Sequence, residues 1–181
     1  MDRRIVKTRK TIFDAFFKLI VKEDYSKISV QDIIDEANIG RSTFYDHFET
    51  KDDVLITYCK ELFEHIFNPE KNVEAHCFID SSTIDKKISH ILYHLLENKE
   101  VIKGIFRSEG YSIFVSYFRF YINKFASFFK EDIKGVPYAF IENHIFGSVI
   151  EMVRYWVNNG FVESIEELSS YYIKLLPKHN Q

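Results

Sequence analysis

Apolar residues in this chain recur three and four positions apart almost throughout, and that period belongs to helices. Ile12, Phe13, Phe16, Phe17 and Ile20 fall on one face of a first helix that begins near Arg3. Val30, Ile33, Ile34 and Ala37 mark a second, with Ser29 placed as its N-cap. Asn38-Ile39-Gly40 reads as the turn that follows, because Asn and Gly tolerate the left-handed backbone. A short third helix carries Phe44 and Phe48 on one side. Thr50-Lys51-Asp52-Asp53 then has the form of a cap with acids in the first turn, opening a fourth helix through Leu55, Tyr58, Leu62 and Ile66.

Asn68-Pro69 closes that helix, and residues 72–83 read as a looser polar connection. Further helical runs are predicted over roughly 84–97, 98–107, 111–132, 137–159 and 164–176. Breaks fall near Gly110, at Gly135-Val136-Pro137, at Gly160 and at Pro177. Pro137 suits the first turn of its helix, and Ser164-Ile165-Glu166-Glu167 has the capping-box form. No alternating strand pattern and no internal repeat is present. The fold class is all-α with about nine helices. It divides into a three-helix helix-turn-helix domain over residues 1–50 and a larger helical domain over 51–181.

Composition narrows the class. At 46% hydrophobic and 17% aromatic residues, a sizeable core forms and disorder is excluded. No uncharged apolar run is long enough to span a membrane. MDRRIVKTRK is charged and leads into an amphipathic segment rather than into the apolar run of a signal peptide. Cys59 and Cys77 lack metal-ligand spacing and read as free thiols of a reducing cytoplasm. No metal or cofactor is expected.

A net charge of −3 argues against a nucleic-acid partner until its distribution is considered. Residues 1–51 hold ten Lys/Arg against nine Asp/Glu, and residues 52–181 hold fourteen against eighteen. The N-terminal end, with Arg3, Arg4, Lys7, Arg9 and Lys10 close together, is the end able to meet phosphates.

The third helix has the chemistry for that meeting. With Phe44 and Phe48 on the buried side, Arg41, Ser42, Thr43, Tyr45, Asp46 and His47 remain for other work. Arg bonds guanine bidentately, Ser and Thr are adaptable hydrogen-bonders, and a Thr methyl can meet a thymine methyl. Lys51, just beyond, is placed for a backbone contact that positions without reading sequence. Lys27 and Ser29 stand at the start of the second helix, Ser29 equally able to serve only as its cap. Asp46 would repel phosphate and is read as a cap, as an orienting group for Arg41, or as selecting against certain bases.

From about Thr8 to Leu55 the segment resembles the DNA-binding domain of the TetR family of bacterial transcription regulators. The resemblance is carried by the Ile33/Ile34 helix, Ala37-Asn38-Ile39-Gly40, Thr43-Phe44-Tyr45-Asp46-His47-Phe48 and Lys51. It implies that Tyr45, its neighbours and Lys51 touch phosphate, that the third helix reads bases, and that the start of the first helix adds contacts. The chain departs from the family pattern at Asn38 and Asp24, where glycine is usual.

The resemblance further implies a C-terminal domain that binds a small effector and forms a homodimer. Tyr93, His94, Phe114, Tyr117, Phe118, Tyr121 and His144 are the candidate ligand residues, rings with a few polar handles. His90 and His94 lie four apart, but no nearby Cys or acid completes a metal set. Ile145, Val149, Met152 and Trp156, with Leu168 and Tyr172 on the last helix, form the candidate dimer stripe, beside Gly147-Ser148.

The function expected is a homodimeric, cytoplasmic repressor on a palindromic double-stranded DNA operator, released by a small ligand, with no membrane partner. The fourth helix would be the lever. The alternative is a regulator or activator governed by a protein partner. An enzyme is disfavoured, since no Walker loop, dinucleotide fingerprint, nucleophile elbow or zinc-protease motif occurs.

Overall fold

A computed structural model describes residues 3–67, 83–126 and 135–176, without the side chains of 124–126. The Pro69 break, the connection over 72–82, Cys77, the end of the 111–132 run and Pro177 lie outside what is described. Within these residues there are nine α-helices, one 3-10 turn and no strand. The helices are α1 (Arg3–Lys22), α2 (Val30–Ala37), α3 (Arg41–Tyr45), α4 (Lys51–Phe67), α5 (Ile84–Glu97), α6 (Lys99–Phe106), α7 (Gly110–Ala126), α8 (Tyr138–Asn158) and α9 (Ile165–Leu175). Among the described residues, no helix is long and apolar enough to cross a membrane.

Two compact units emerge. The first takes residues 1–61 together with 100–114, and the second takes 62–99 and 115–181. Helices α4 and α7 therefore each contribute residues to both.

The first unit is built on the face predicted for α1. Ile12, Phe13, Phe16 and Ile20 are buried with Ile33, Ile34 and Ala37 of α2, with Phe44 and Phe48, and with Val54, Leu55 and Tyr58 of α4. Rings lock the elements together: Phe13 meets Phe48 at 5.8 Å between centroids, and Phe17 meets Tyr58 edge-on at 4.5 Å. The Tyr58 hydroxyl is buried with no hydrogen-bond partner among the described residues. Two ion pairs, Lys18–Glu36 and Arg9–Glu61, tie α1 to α2 and to α4. Helix α6 closes on the C-terminal end of α1 through Gly104: a Cβ there would stand 2.7 Å from the Ile20 carbonyl oxygen. Only glycine permits that approach.

The second unit buries Leu62, Phe63 and Ile66 of α4 with Ile88, Ile91, Leu92 and Leu95 of α5 and Phe118, Tyr121 and Ile122 of α7. Helix α8 adds Ile141, Ile145, Phe146, Val149, Ile150, Val153, Trp156 and Val157, and α9 adds Leu168 and Tyr172. Helix α8 stops in a Schellman arrangement, with Phe161 N donating to Trp156 O and Gly160 N to Val157 O. The Phe161 ring then packs 4.8 Å from Trp156, whose indole donates to the Glu163 carbonyl at 2.9 Å.

The capping predictions at Ser29, Thr50 and Ser164 correspond to observed bonds: each side-chain oxygen accepts from the backbone amide three residues on. Pro137 does not enter the first turn of α8; it stands one place earlier as the N-cap, φ −58° and ψ 134°. The short turn Tyr25–Lys27 was not anticipated, since three residues are too few to show a period.

Candidate nucleic-acid interface

The pair α2–α3 is held by local backbone chemistry. Asn38, at φ 50°, takes the left-handed conformation after α2, while Ile39 N bonds Ile34 O and Asn38 N bonds Asp35 O. Gly40 was expected to share that conformation, but it is extended at φ −72° and serves as the N-cap of α3. One left-handed residue suffices for the turn, and Asn supplies it. At the other end of α2, the Ser29 hydroxyl and backbone amide both donate to Asp32 Oδ2, at 2.6 and 2.7 Å. Those bonds hold the Asp32 carboxyl below the usual carboxylate range.

Phe44 has no exposed surface, and its ring is anchored between Phe48 at 6.0 Å and Tyr45 at 5.5 Å. Fixing that side turns the rest of α3 outward. Arg41, Ser42, Tyr45 and Asp46 are exposed, and Thr43 and His47 are half-buried. The Arg41 guanidinium lies over the Tyr45 ring, 5.6 Å from its centroid, and no Arg41–Asp46 ion pair occurs among the described residues. Stacking of this kind pre-orders a long side chain without using its donors. Lys27 is exposed with its ammonium 2.9 Å from Asp24, which raises its pKa.

Lys51 departs from expectation. Its Nζ donates to the carbonyls of Tyr25 at 2.6 Å and Ile28 at 2.8 Å, with Ser26 O at 3.4 Å, and sits 4.6 Å from the Tyr25 ring centroid. The ammonium is turned onto the protein's own backbone.

The candidate ligand residues do not form one set. Phe118 and Tyr121 gather with Phe63 and Phe67, the Phe63–Phe118 and Phe67–Tyr121 centroids 5.4 and 5.9 Å apart. The Tyr121 hydroxyl donates to Glu64 at 2.9 Å, and burial together with that carboxylate pushes it up to about 12. His94 belongs to a second cluster: His94 Nε2 is 2.9 Å from His90 Nε2, His94 Nδ1 is 3.0 Å from Glu97, and the rings of His65 and Tyr93 lie 4.6 and 5.3 Å away. His65 was overlooked because on its own helix it follows no histidine spacing. Burial, then the neighbouring imidazoles, hold His90 down to about 4, and burial lowers His94 as well. No group of three metal-ligating side chains converges among the described residues. Tyr117 is half-buried. Phe114 falls in the first unit, packed 5.3 Å from Phe106, and His144 is exposed on α8.

The dimer stripe also turns inward. Ile145, Val149, Trp156, Leu168 and Tyr172 are buried within their own unit, Trp156 completely, and Tyr172 Oη is 2.9 Å from Ser148 Oγ. Met152 is half-buried. What α8 and α9 leave outside is a different set: Phe140 is 66% exposed and Leu175 85%, with Tyr155 and Tyr171 between these values and full burial. Together with His144 and Met152, the last three border a groove of about 450 Å³. Cys59 is a free buried thiol on α4, pushed up to about 12 by burial, and has the character of core.

A helix pair whose second member is anchored by two phenylalanines and leaves Arg, Ser, Thr and Tyr on its outer side is a helix-turn-helix of the DNA-binding kind. Residues 12–57 match the profile of the bacterial regulatory proteins of the tetR family, and residues 82–178 match that of a transcriptional regulator C-terminal region. The chain belongs to the TetR family of bacterial transcriptional regulators. Its fold is similar to that of a TetR transcriptional regulator from Streptococcus agalactiae, with 32% identity, a TM-score of 0.75, and coverage of 98% of this chain and 97% of that one. In sequence it is similar to the HTH-type transcriptional regulator YxbF of Bacillus subtilis, 31% identical over 60% of this chain and 32% of that protein. It is also similar to the dhaKLM operon transcriptional activator DhaS of Lactococcus lactis, 35% identical over 38% and 36%. The chain thus spans about a third of the length of these two relatives. Proteins of this family regulate transcription.

Proposed function

We propose that this chain is a homodimeric repressor that binds a palindromic operator through α3 and is released by a small ligand held in its second unit. The observation that carries the reading is the outer side of α3: Arg41, Ser42 and Tyr45 are exposed on a helix whose other side is fixed by Phe44. Arg41, Ser42, Thr43 and His47 read base edges, while Tyr45, Lys27 and the cap at Ser29 lie toward phosphate. Residues 1–50 carry the DNA contacts, and 51–181 serve the effector and the partner protomer.

A two-fold dimer sets its two reading helices about 34 Å apart, one turn of DNA. The exposed apolar groups of α8 and α9 supply the surface for it, and Gly147 has open space around an added Cβ. The surface that meets the partner is therefore Phe140, His144, Met152, Tyr155, Tyr171 and Leu175, in place of the buried stripe. A dimer seated on promoter DNA represses by excluding polymerase. The effector is a largely apolar small molecule taken up among the rings of the second unit. It releases DNA by binding one conformer more tightly than the other.

The likeness to DhaS, an activator, favours a second reading in which the same DNA-binding dimer activates. The decisive experiment enriches duplexes from a random-sequence pool with the full chain and compares wild type with Arg41→Ala. Loss of about 1–3 kcal/mol, with relaxed choice at one base position, supports base reading by α3. Unchanged affinity and selectivity overturn it. A reporter placed behind the enriched sequence then separates repression from activation.

A further inference from the structure

The start of α4 holds a polar cluster that belongs to no reading surface. The turn Tyr25–Lys27 and Ile28 direct three carbonyls at Lys51, whose Nζ lies 2.6 Å from Tyr25 O, 2.8 Å from Ile28 O and 3.4 Å from Ser26 O. An ammonium has three protons and no acceptor, so this arrangement occupies its donors. The next residue, Asp52, accepts a hydrogen bond from the Tyr25 hydroxyl, and the Tyr25 ring lies beneath the ammonium at 4.6 Å. Two consecutive residues of α4 thus hold the backbone, ring and hydroxyl of Tyr25, which is buried. Lys27 stands between the gripped carbonyls of Ser26 and Ile28, and Ser29, the cap of α2, directly follows Ile28.

We propose that Lys51 is a positioning residue for DNA binding: it fixes the 25–28 segment, and through it Lys27 and the amino end of α2, without itself touching phosphate. This rests on the reading that the α2–α3 pair meets DNA. To reach a phosphate, Lys51 would have to leave its carbonyls in a half-buried site and exchange several charge-assisted bonds for one in water. Lys27 is the opposite case, an exposed ammonium paired, among the described residues, with the equally exposed Asp24.

The first test uses the wild-type full chain labelled with nitrogen-15, reading the lysine ammonium signals, with Lys51 assigned by its loss in Lys51→Arg. The Lys51 ammonium is expected to be protected from exchange in the free protein. It should keep its position when a duplex enriched from a random-sequence pool is added, while Lys27 shifts. A Lys51 signal that is unprotected in the free protein, or that moves and couples to phosphorus on the DNA, overturns the proposal. The second test is a double-variant cycle with Lys51→Met and Lys27→Ala, read as affinity for that duplex across salt. Lys27→Ala lowers the salt slope by about 0.9, as one lost phosphate contact does. Lys51→Met weakens binding by about tenfold in the wild-type background, and its cost shrinks by about threefold or more once Lys27 is gone, because the effect travels through the segment that carries Lys27. A cost that does not shrink to that extent overturns it. If Lys51→Met fails to fold, the ammonium signals of the wild type decide alone. If Arg41→Ala also leaves binding of the duplex unchanged, the DNA reading of α3 has failed, an outcome distinct from the failure of Lys51.

Discussion

Acidifying the protein from pH 8 to pH 5 should destabilise it through one imidazole pair. His90 is 5% exposed and held down to about 4 from an ordinary 6.5, by burial first and then by the neighbouring His94 and His65. In the unfolded chain the same ring takes a proton near 6.5. Between these values the unfolded state binds more protons, so stability rises with pH across the window and falls as the solution is acidified. Above 6.5 the ring is neutral in both states and contributes nothing to the pH dependence. By pH 5 the cost from His90 is about 2 kcal/mol, and it levels off at roughly 3 kcal/mol below its folded pKa. His94, also lowered, deepens the slope, while its bond to Glu97 acts in the opposite direction. Asp32, Asp85 and Glu163 are held below the ordinary carboxylate range, so their stabilisation is present at higher pH and is lost only below the window, which leaves pH 5 to 6.5 to the histidines. The assay is urea unfolding followed by circular dichroism at half-unit steps of pH, for wild type and His90→Gln. A glutamine keeps a donor for His94 Nε2 and has no proton to take up, so the variant should lose the share of the slope that His90 carries, about 2 kcal/mol by pH 5. Stability that is flat from pH 7 to pH 5, or a slope unchanged in His90→Gln, refutes the reasoning.

Three further outcomes follow from the packing. Gly104→Ala forces a Cβ against the Ile20 carbonyl, a backbone atom that cannot swing away, and should cost about 1–3 kcal/mol in thermal unfolding. Tyr58→Phe removes a buried hydroxyl that has no partner among the described residues, and should raise stability by about 1 kcal/mol with no change in the circular dichroism of the folded state. Leu175→Asp alters a side chain exposed in the protomer, so it should unfold at the wild-type temperature at low concentration yet sediment as a monomer; a wild-type sedimentation profile would remove α9 from the dimer surface.

Most of the architecture was legible because each helix is amphipathic, and amphipathic helices announce their faces by period alone. Ser29, Thr50 and Ser164 were legible for the same local reason: a cap needs only its own helix. Two of the details the sequence did not show, at Lys51 and His65, depend on groups distant in the chain. A lysine at the head of α4 has a stem long enough to face solvent or to fold back, and only the carbonyls of Tyr25 and Ile28, more than twenty residues earlier, decide between them. His65 could be related to His94 only once α4 and α5 were packed together.

Helix α8 shows the same limit in its sharpest form. It has two apolar sides, one running through Ile145, Val149 and Trp156 and the other through Phe140, His144, Met152 and Tyr155, and both have helical spacing. Period reports that a side is apolar and says nothing about what covers it. The more uniformly aliphatic side is the one a chain can bury against itself, since interior packing excludes unpaired polar groups. A surface kept for a partner must also survive in water before the partner arrives, and that favours a mixture of aromatic, methionine and imidazole side chains over a pure aliphatic stripe. On the proposed dimer, the polar character of His144 and Tyr155 suits that side to stand in water until another protomer covers it.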